Sequence, residues 1–506
     1  INVLEALSLR GSINELLQPG DVIKRLEVVN LGSTFPSAQV KNPRACRAGL
    51  MMSANSWSTQ TLKRYNRRDD RGRAYNQMLR SGMREYLHFD PSSSSACIVT
   101  CGGLCPGLNT VIRELVMTLD DYGVKTIYGC IGGYKSMVKP ETWITLTPES
   151  VQNIHKEGGT ILVSDRGNPP HIEIAKTLQK MNIKQYFVIG GDGTQTGAFD
   201  TFTCTQEIEH EVAVVGVPKT IDNDIPILDR SFGFNTACSE AEKAIFSAYV
   251  EASCNTNCLG LVKLMGRHCG FIAMQATLAA RSVDICLLPE MDISLPRLLN
   301  HAMHLMKTKG HAVIVVAEGC GDTLLKSSGE VDAGGNKKLA DVGPWLKEHL
   351  LAYAKKMQQP LSIKYIDPTY TIRAVPANTN DSVYCSVLAS HAVSAAMAGY
   401  SGVVVGKVDE RYVLLPTHAI TKAPVKRVQL NSAVFERLLA TTGQPNLAPG
   451  LGDDWALLPA APRALPESPP VQPPEAIDFN AWTQLDSQQM ESPPEAAVAG
   501  VTLKIF

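Results

Sequence analysis

Ala96-Cys97-Ile98-Val99-Thr100-Cys101-Gly102-Gly103-Leu104-Cys105-Pro106-Gly107 is the stretch that decides the architecture. A short, continuously apolar run passes into a glycine-rich turn. Leu108, Val111, Ile112, Leu115, Val116 and Leu119 follow at a spacing that puts one apolar stripe on a helix. An unbroken apolar strand is covered on both faces, and its alternation with helices implies a parallel sheet. The pattern repeats. Strands are expected at Ala96 to Thr100, Lys125 to Tyr128, Thr160 to Val163, Tyr186 to Ile189, Val212 to Val217, Leu259 to Leu264, Ile285 to Leu288, Ala312 to Ala317 and Val403 to Val405. The fold class read from this alternation is α/β. Small residues at Ala237, Ala241, Ala244 and Ala248, with Ile245, predict a long helix bridging two α/β lobes.

Outside this region the composition shifts. Residues 1–90 mix short amphipathic pieces with a highly charged run near 63–73 and are expected to form a partly irregular extension, residues 91–444 the core, and residues 445–506, rich in Pro, Ala and Glu, a mostly disordered tail. The 506 residues carry 44% hydrophobic and 19% charged side chains, the balance of a folded protein. Lys and Arg number 48 against 49 Asp and Glu, so no overall field favours nucleic acid or an anionic membrane, and an anionic ligand needs a local site. Thirteen cysteines scattered through apolar runs read as reduced thiols rather than a disulfide framework. No apolar run is long enough to span a bilayer. Glu5, Glu15 and Asp21 argue against an intact transit peptide at the start. The expected compartment is the cytoplasm, with the plastid stroma as the alternative.

In α/β sheets the ligand crevice lies beyond the carboxyl ends of the strands. Four loops stand at such ends. Cys101 to Gly107 offers close backbone approach and amide donors for an anion, although a glycine turn also serves as a packing device. Gly190-Gly191-Asp192-Gly193-Thr194 sets a carboxylate between glycines, suited either to magnesium beside phosphates or to capping the next helix. Lys219-Thr220-Ile221-Asp222-Asn223-Asp224 carries two carboxylates two residues apart. In an extended loop they point the same way, so one can take a proton from a hydroxyl while the other faces a metal. Met265-Gly266-Arg267 presents an arginine whose planar fork matches a phosphate, and Glu318 ends another strand as an acceptor for sugar hydroxyls.

Taken in order, Gly-Gly-x-x-Pro-Gly at 102–107, Gly-Gly-Asp-Gly-Thr at 190–194, Pro-Lys-Thr-Ile-Asp-Asn-Asp at 218–224 and Met-Gly-Arg at 265–267 resemble the phosphofructokinase family. The resemblance runs from about Arg80 to Gln444. It is nearest the long ATP-dependent branch of plants and trypanosomatids, including Tyr365 to Pro368 and Asn380 to Cys385. It implies two similar Rossmann-like three-layer lobes with parallel-rich sheets and the active site in the cleft between them. It also implies transfer of the γ-phosphate of ATP to the 1-hydroxyl of fructose 6-phosphate. Asp222 would be the proton acceptor. Thr220, Ile221, Asp222, Met265, Gly266, Arg267, Glu318, Tyr370 and Arg373 would hold the sugar phosphate. Gly103, Tyr134, Arg166, Gly167, Gly191, Asp192, Gly193 and Thr194 would line the ATP site, with Asp192 on Mg2+. Gly193 and Lys219 stand at positions tied to donor choice: pyrophosphate-dependent relatives carry an aspartate where Gly193 lies, and its bulk and charge would meet the α-phosphate of ATP. A homo-oligomer, a tetramer by resemblance, is implied as well.

Some positions depart from the family pattern. Ser136 and Val163 stand where glycines are usual, Asn235 replaces an aspartate, and Ala419 stands where an arginine is expected before Ile420. These departures support one rival reading, a catalytically weak regulatory subunit of a hetero-oligomer; a pyrophosphate-dependent enzyme is the other alternative, and it turns on position 193. A kinase for a lipid or nicotinamide cofactor is disfavoured, because the contacts at 265–267 and 370–373 suit a sugar phosphate.

Overall fold

Strands laid side by side with their carboxyl ends level are what bring the four loops together. The computed structural model describes residues 22–44, 51–60, 74–165, 167–325 and 340–449; Arg166 and nearly all of the expected tail lie outside the described residues. The larger sheet contains β1 (Val22–Leu26), β2 (Trp57–Gln60), β3 (Ala74–Arg80), β4 (Ser95–Thr100), β5 (Thr126–Cys130), β6 (Ile144–Thr145), β7 (Gln185–Gly190) and β8 (Ala213–Pro218). The smaller sheet is built from β9 (Cys258–Leu264), β10 (Ile285–Leu287), β11 (His311–Ala317) and β12 (Ser362–Ile366), after which β13 (Val403–Val408) and β14 (Arg411–Pro416) return to the larger one.

The larger sheet runs β1-β3-β14-β13-β8-β7-β4-β5-β6, with β2 paired to β3. Its centre, from β13 to β5, is wholly parallel. Ile189 pairs with both Val217 and Thr100, so the loops after β8, β7 and β4 leave the sheet at one height. The smaller sheet runs β10-β11-β9-β12 and is parallel throughout, with Leu264 level with Ala317. Every residue of β7 and β8 is buried, as their continuous apolar sequences require.

The helices then fix the lobes. The apolar stripe of α1 (Leu108–Tyr122) is fully buried against the larger sheet. Next come α2 (Asp192–Glu207), α3 (Phe234–Ser253), α4 (Phe271–Ala280), α5 (Thr369–Ala374) and α6 (Thr379–Met397). Ala237, Ala241, Ile245 and Ala248 of α3 sit in the core of the smaller sheet. The other side of the joint is α6, which packs on the larger sheet. Its buried Asp381 accepts hydrogen bonds from Thr236 N (2.7 Å) and Thr236 Oγ1 (2.6 Å) in the first turn of α3. A carboxylate there satisfies otherwise unpaired amides and lies at the positive end of the helix dipole, which ties the two lobes together.

Two stretches depart from the sequence expectation. Thr160 to Val163 forms a turn, not a strand: Asn109 Oδ1 takes the amide of Ile161 (2.9 Å), Thr160 Oγ1 takes that of Leu162 (3.2 Å), and Val163 stands at φ 51° and 55% exposed. Side-chain acceptors outcompete a β ladder where none is offered. The segments 22–26, 57–60 and 74–80, expected to lie in a partly irregular extension, form β1, β2 and β3, and Met78 is completely buried beside Val413 and Leu415.

Candidate active site

Three loops emerge side by side from β4, β7 and β8, and a fourth faces them from β9. In the first, Gly107 has φ 99°, and a Cβ there would come within 2.7 Å of Cys385 Sγ, so only glycine allows the turn into α1. Lys219, buried at the end of β8, donates from Nζ to Gly103 O (2.6 Å) and joins the first loop to the third. A Cβ on Gly103 would also lie 3.8 Å from Arg373 Nη1, so residues assigned by sequence to nucleotide and to sugar phosphate meet here.

The second loop places Asp192 at the start of α2, with Gly193 and Thr194 beside it. A Cβ on Gly193 would meet nothing within 4 Å, so that face of the loop is open space. Beneath it the buried Gln195 donates from Nε2 to Gly190 O (3.0 Å) and, at 3.4 Å, to Val217 O, knitting the ends of β7 and β8. Tyr134 is buried and donates from its hydroxyl to Thr194 O (2.7 Å), so it supports the loop from behind. Gly167 is exposed, and a Cβ on it would lie 3.0 Å from Lys135 Cβ. Gly191 approaches Lys219 O, to which its Cβ would come within 3.3 Å.

In the third loop the two carboxylates do not point the same way. Asn223 takes φ 59°, so the segment is not extended, and Asp222 and Asp224 part company. Asp224 Oδ1 accepts from Thr220 Oγ1 (2.8 Å). Asp222 Oδ2 turns toward the smaller sheet and faces the amide of Arg267 (3.4 Å), while its Oδ1 is shielded from solvent and has no hydrogen-bond partner. Burial first, then the charges of Asp224 and Glu318, push Asp222 up to about 7, against smaller opposing effects of Arg267. Asp192 is also raised above the usual carboxylate range, by the surrounding protein and then by Asp224. Ile221 packs, partly buried, against both main cores.

The fourth loop turns at Gly266. Its φ of 127°, and the 2.4 Å to which a Cβ there would approach Cys269 O, exclude any other residue. Met265 is buried beneath it. Glu318 follows β11, with its amide on Leu264 O (2.8 Å); burial raises its carboxyl, and Arg267, Lys263 and Arg373 pull the other way. Arg373 lies 5.0 Å from the ring centroid of Tyr370, itself 79% exposed at the rim on α5. Sequence reasoning missed the supporting set: Cys269, whose Sγ donates to Asp222 O (3.2 Å), and Ser231, whose Oγ holds Thr220 O (2.5 Å) while its amide binds Asn223 Oδ1 (3.0 Å). Cys269 lies within the fourth loop itself; no signal marks Ser231, because its hydroxyl partner is a backbone atom eleven residues away in sequence.

Two parallel-rich sheets, with glycine loops on one and an arginine and carboxylate cluster on the other around a shielded aspartate, define a two-lobed α/β phosphotransferase. The family model described as phosphofructokinase matches residues 95–396, and the chain belongs to that family. Among its relatives, ATP-dependent 6-phosphofructokinase 7 of Arabidopsis thaliana is 49% identical over 374 residues, covering 72% of this chain and 77% of the relative. ATP-dependent 6-phosphofructokinase 5, chloroplastic, of the same plant is 48% identical, covering 72% and 69%. ATP-dependent 6-phosphofructokinase of Trypanosoma brucei brucei is 43% identical, covering 68% and 72%. The solved pyrophosphate-dependent phosphofructokinase from Marinobacter aquaeolei has the same fold, with TM-score 0.59 and 18% identity over 71% of this chain and 94% of that one.

Proposed function

We propose that this chain transfers the γ-phosphoryl group of ATP to the 1-hydroxyl of fructose 6-phosphate, giving fructose 1,6-bisphosphate and ADP, a step of glycolysis. The observation that carries this reading is Asp222: a shielded, unpartnered carboxylate oxygen with a pKa of about 7, set between the glycine loops and Arg267. A base poised near the working pH accepts a proton most effectively. The sugar oxygen attacks the γ-phosphorus, its proton passes to Asp222, the bond to the bridging oxygen breaks, and ADP departs. No covalent help is required, so positioning and charge carry the rate.

Thr220, Ile221, Met265, Gly266, Arg267, Glu318, Tyr370 and Arg373 hold the sugar phosphate, with Arg267 and Arg373 on its phosphate and Glu318 on its hydroxyls. Gly103, Tyr134, Arg166, Gly167, Gly191, Gly193 and Thr194 form the nucleotide side. Tyr134 contributes by fixing Thr194. Asp192, with Asp224 close enough to raise its pKa, gives a carboxylate pair that suits Mg2+, which usually takes one or two carboxylates and completes its shell with phosphates. Bound there, Mg2+ would neutralise charge on the transferring group. The open space at Gly193 favours ATP over pyrophosphate as donor. We place the protein in the cytoplasm or, as for the relative described as chloroplastic, the plastid stroma, and read it as a homo-oligomer.

A donor comparison tests the reading. The purified chain is assayed for fructose 1,6-bisphosphate with fructose 6-phosphate, Mg2+ and either ATP or pyrophosphate. Turnover with ATP alone is expected; turnover with pyrophosphate alone, or with neither, overturns it.

A further inference from the structure

The loop that carries Asp222 contains two residues in the left-handed region, Asn223 at φ 59° and Ile227 at φ 72°. For a β-branched residue such as Ile227 that conformation is strongly disfavoured and persists only where surrounding contacts over-determine it. Those contacts come from far away in sequence. Lys426 N donates to Asp224 O (2.9 Å). Its ammonium donates to Leu228 O (3.0 Å) and Asp229 O (2.8 Å), the two carbonyls just after Ile227. One residue therefore grips the loop on both sides of its strained point.

The grip is itself anchored. Val428 N donates to Glu290 Oε1 (2.8 Å), and the same carboxylate takes Gly270 N (3.1 Å) at the start of α4. The Lys426 ammonium also lies 5.3 Å from the Phe271 ring. On the far side, Asp229 accepts from Asp409 N (3.0 Å) and Glu410 N (2.9 Å). Lys426 is buried enough that its pKa is lowered, although Asp229, Cys269 and Asp224 pull the other way. Three hydrogen bonds from one half-buried side chain and its amide, all to the acid loop, exceed what packing alone needs.

We propose that Lys426 is a positioning residue for phosphoryl transfer, clamping Asp224 to Asp229 so that Asp222 is held toward Arg267. This rests on the reading of Asp222 as proton acceptor. The segment 425–428 thus acts as a strap across the back of the active site, and its effect falls on the chemical step rather than on nucleotide capture.

The test compares Lys426→Met, Lys426→Arg, Asp222→Asn and the double variant Asp222→Asn with Lys426→Met, all in the full chain. Lys426→Met is expected to lower kcat about 10- to 100-fold, the scale of a misplaced reacting group, with KM for ATP changed less than about threefold. Lys426→Arg, which keeps the charge and donors, recovers most of kcat. In the Asp222→Asn background Lys426→Met costs little further, because the group it positions is already gone. The proposal is overturned if Lys426→Met keeps kcat within about threefold, if its loss adds fully to that of Asp222→Asn, or if the variant loses its cooperative unfolding transition while Lys426→Arg shows no recovery. An undiminished kcat in Asp222→Asn alone instead removes the proton-acceptor reading beneath it.

Discussion

Asp222→Asn should do two opposite things, and their combination is diagnostic. Asn keeps the size of the side chain but can neither accept the hydroxyl proton nor carry charge. Loss of a general base costs typically about 10²–10⁴-fold, so kcat should fall by that factor. Stability should move the other way. In the unfolded chain the carboxyl titrates at about 3.9, whereas in the fold it is held at about 7. A group whose folded pKa is raised contributes stability that is complete below its unfolded value and is lost as pH climbs through the folded one. A rise of about three units at about 1.36 kcal/mol each sets an upper bound of about 4 kcal/mol for carrying the anion at pH 8. The Asn variant lacks this cost, though its amide must share the same sparsely bonded pocket. Its unfolding free energy relative to wild type should therefore increase from pH 4 to pH 8 by about 1 to 3 kcal/mol, after allowance for partial solvent access. Urea unfolding at the two pH values, followed by circular dichroism beside fructose 1,6-bisphosphate formation, measures both. A variant with kcat within about tenfold of wild type, or a stability difference that does not change with pH, refutes the reasoning.

Three further outcomes are expected. Gly193→Asp should fold normally, since its Cβ enters open space, yet raise KM for ATP at least about tenfold through charge repulsion while KM for fructose 6-phosphate changes little; initial-rate kinetics decide this. Arg267→Met should raise KM for fructose 6-phosphate about 10- to 100-fold, the scale of a lost charged hydrogen-bonding partner, and leave nucleotide affinity measured by calorimetry near wild type. Asp192→Asn should shift the Mg2+ concentration for half-maximal rate upward by at least about tenfold; a Mg2+ titration unchanged by the substitution removes Asp192 from the metal site.

The sequence by itself determined the strand, loop and helix alternation and the chemistry gathered at the loops. Unbroken apolar runs such as Tyr186 to Ile189 are buried wherever they lie, and loops at strand ends carry their residues to the crevice whatever the remainder does. Glycines and charged residues at those ends were legible because their local backbone requirement and their chemistry are written in residue type. Tertiary structure alone decided what depends on distant partners. Thr160 to Val163 lost its strand to Asn109 and to its own Thr160 hydroxyl, and the segments 22–26, 57–60 and 74–80 joined the larger sheet with no local pattern to announce it. The separation of Asp222 from Asp224 follows from the left-handed turn at Asn223, and the pKa of Asp222 follows from its burial beside two further carboxylates. Lys426 lies some two hundred positions from the loop it grips. A hydrogen bond to a backbone carbonyl leaves no mark on the identity of the residue that accepts it, so only the folded chain reveals the clamp.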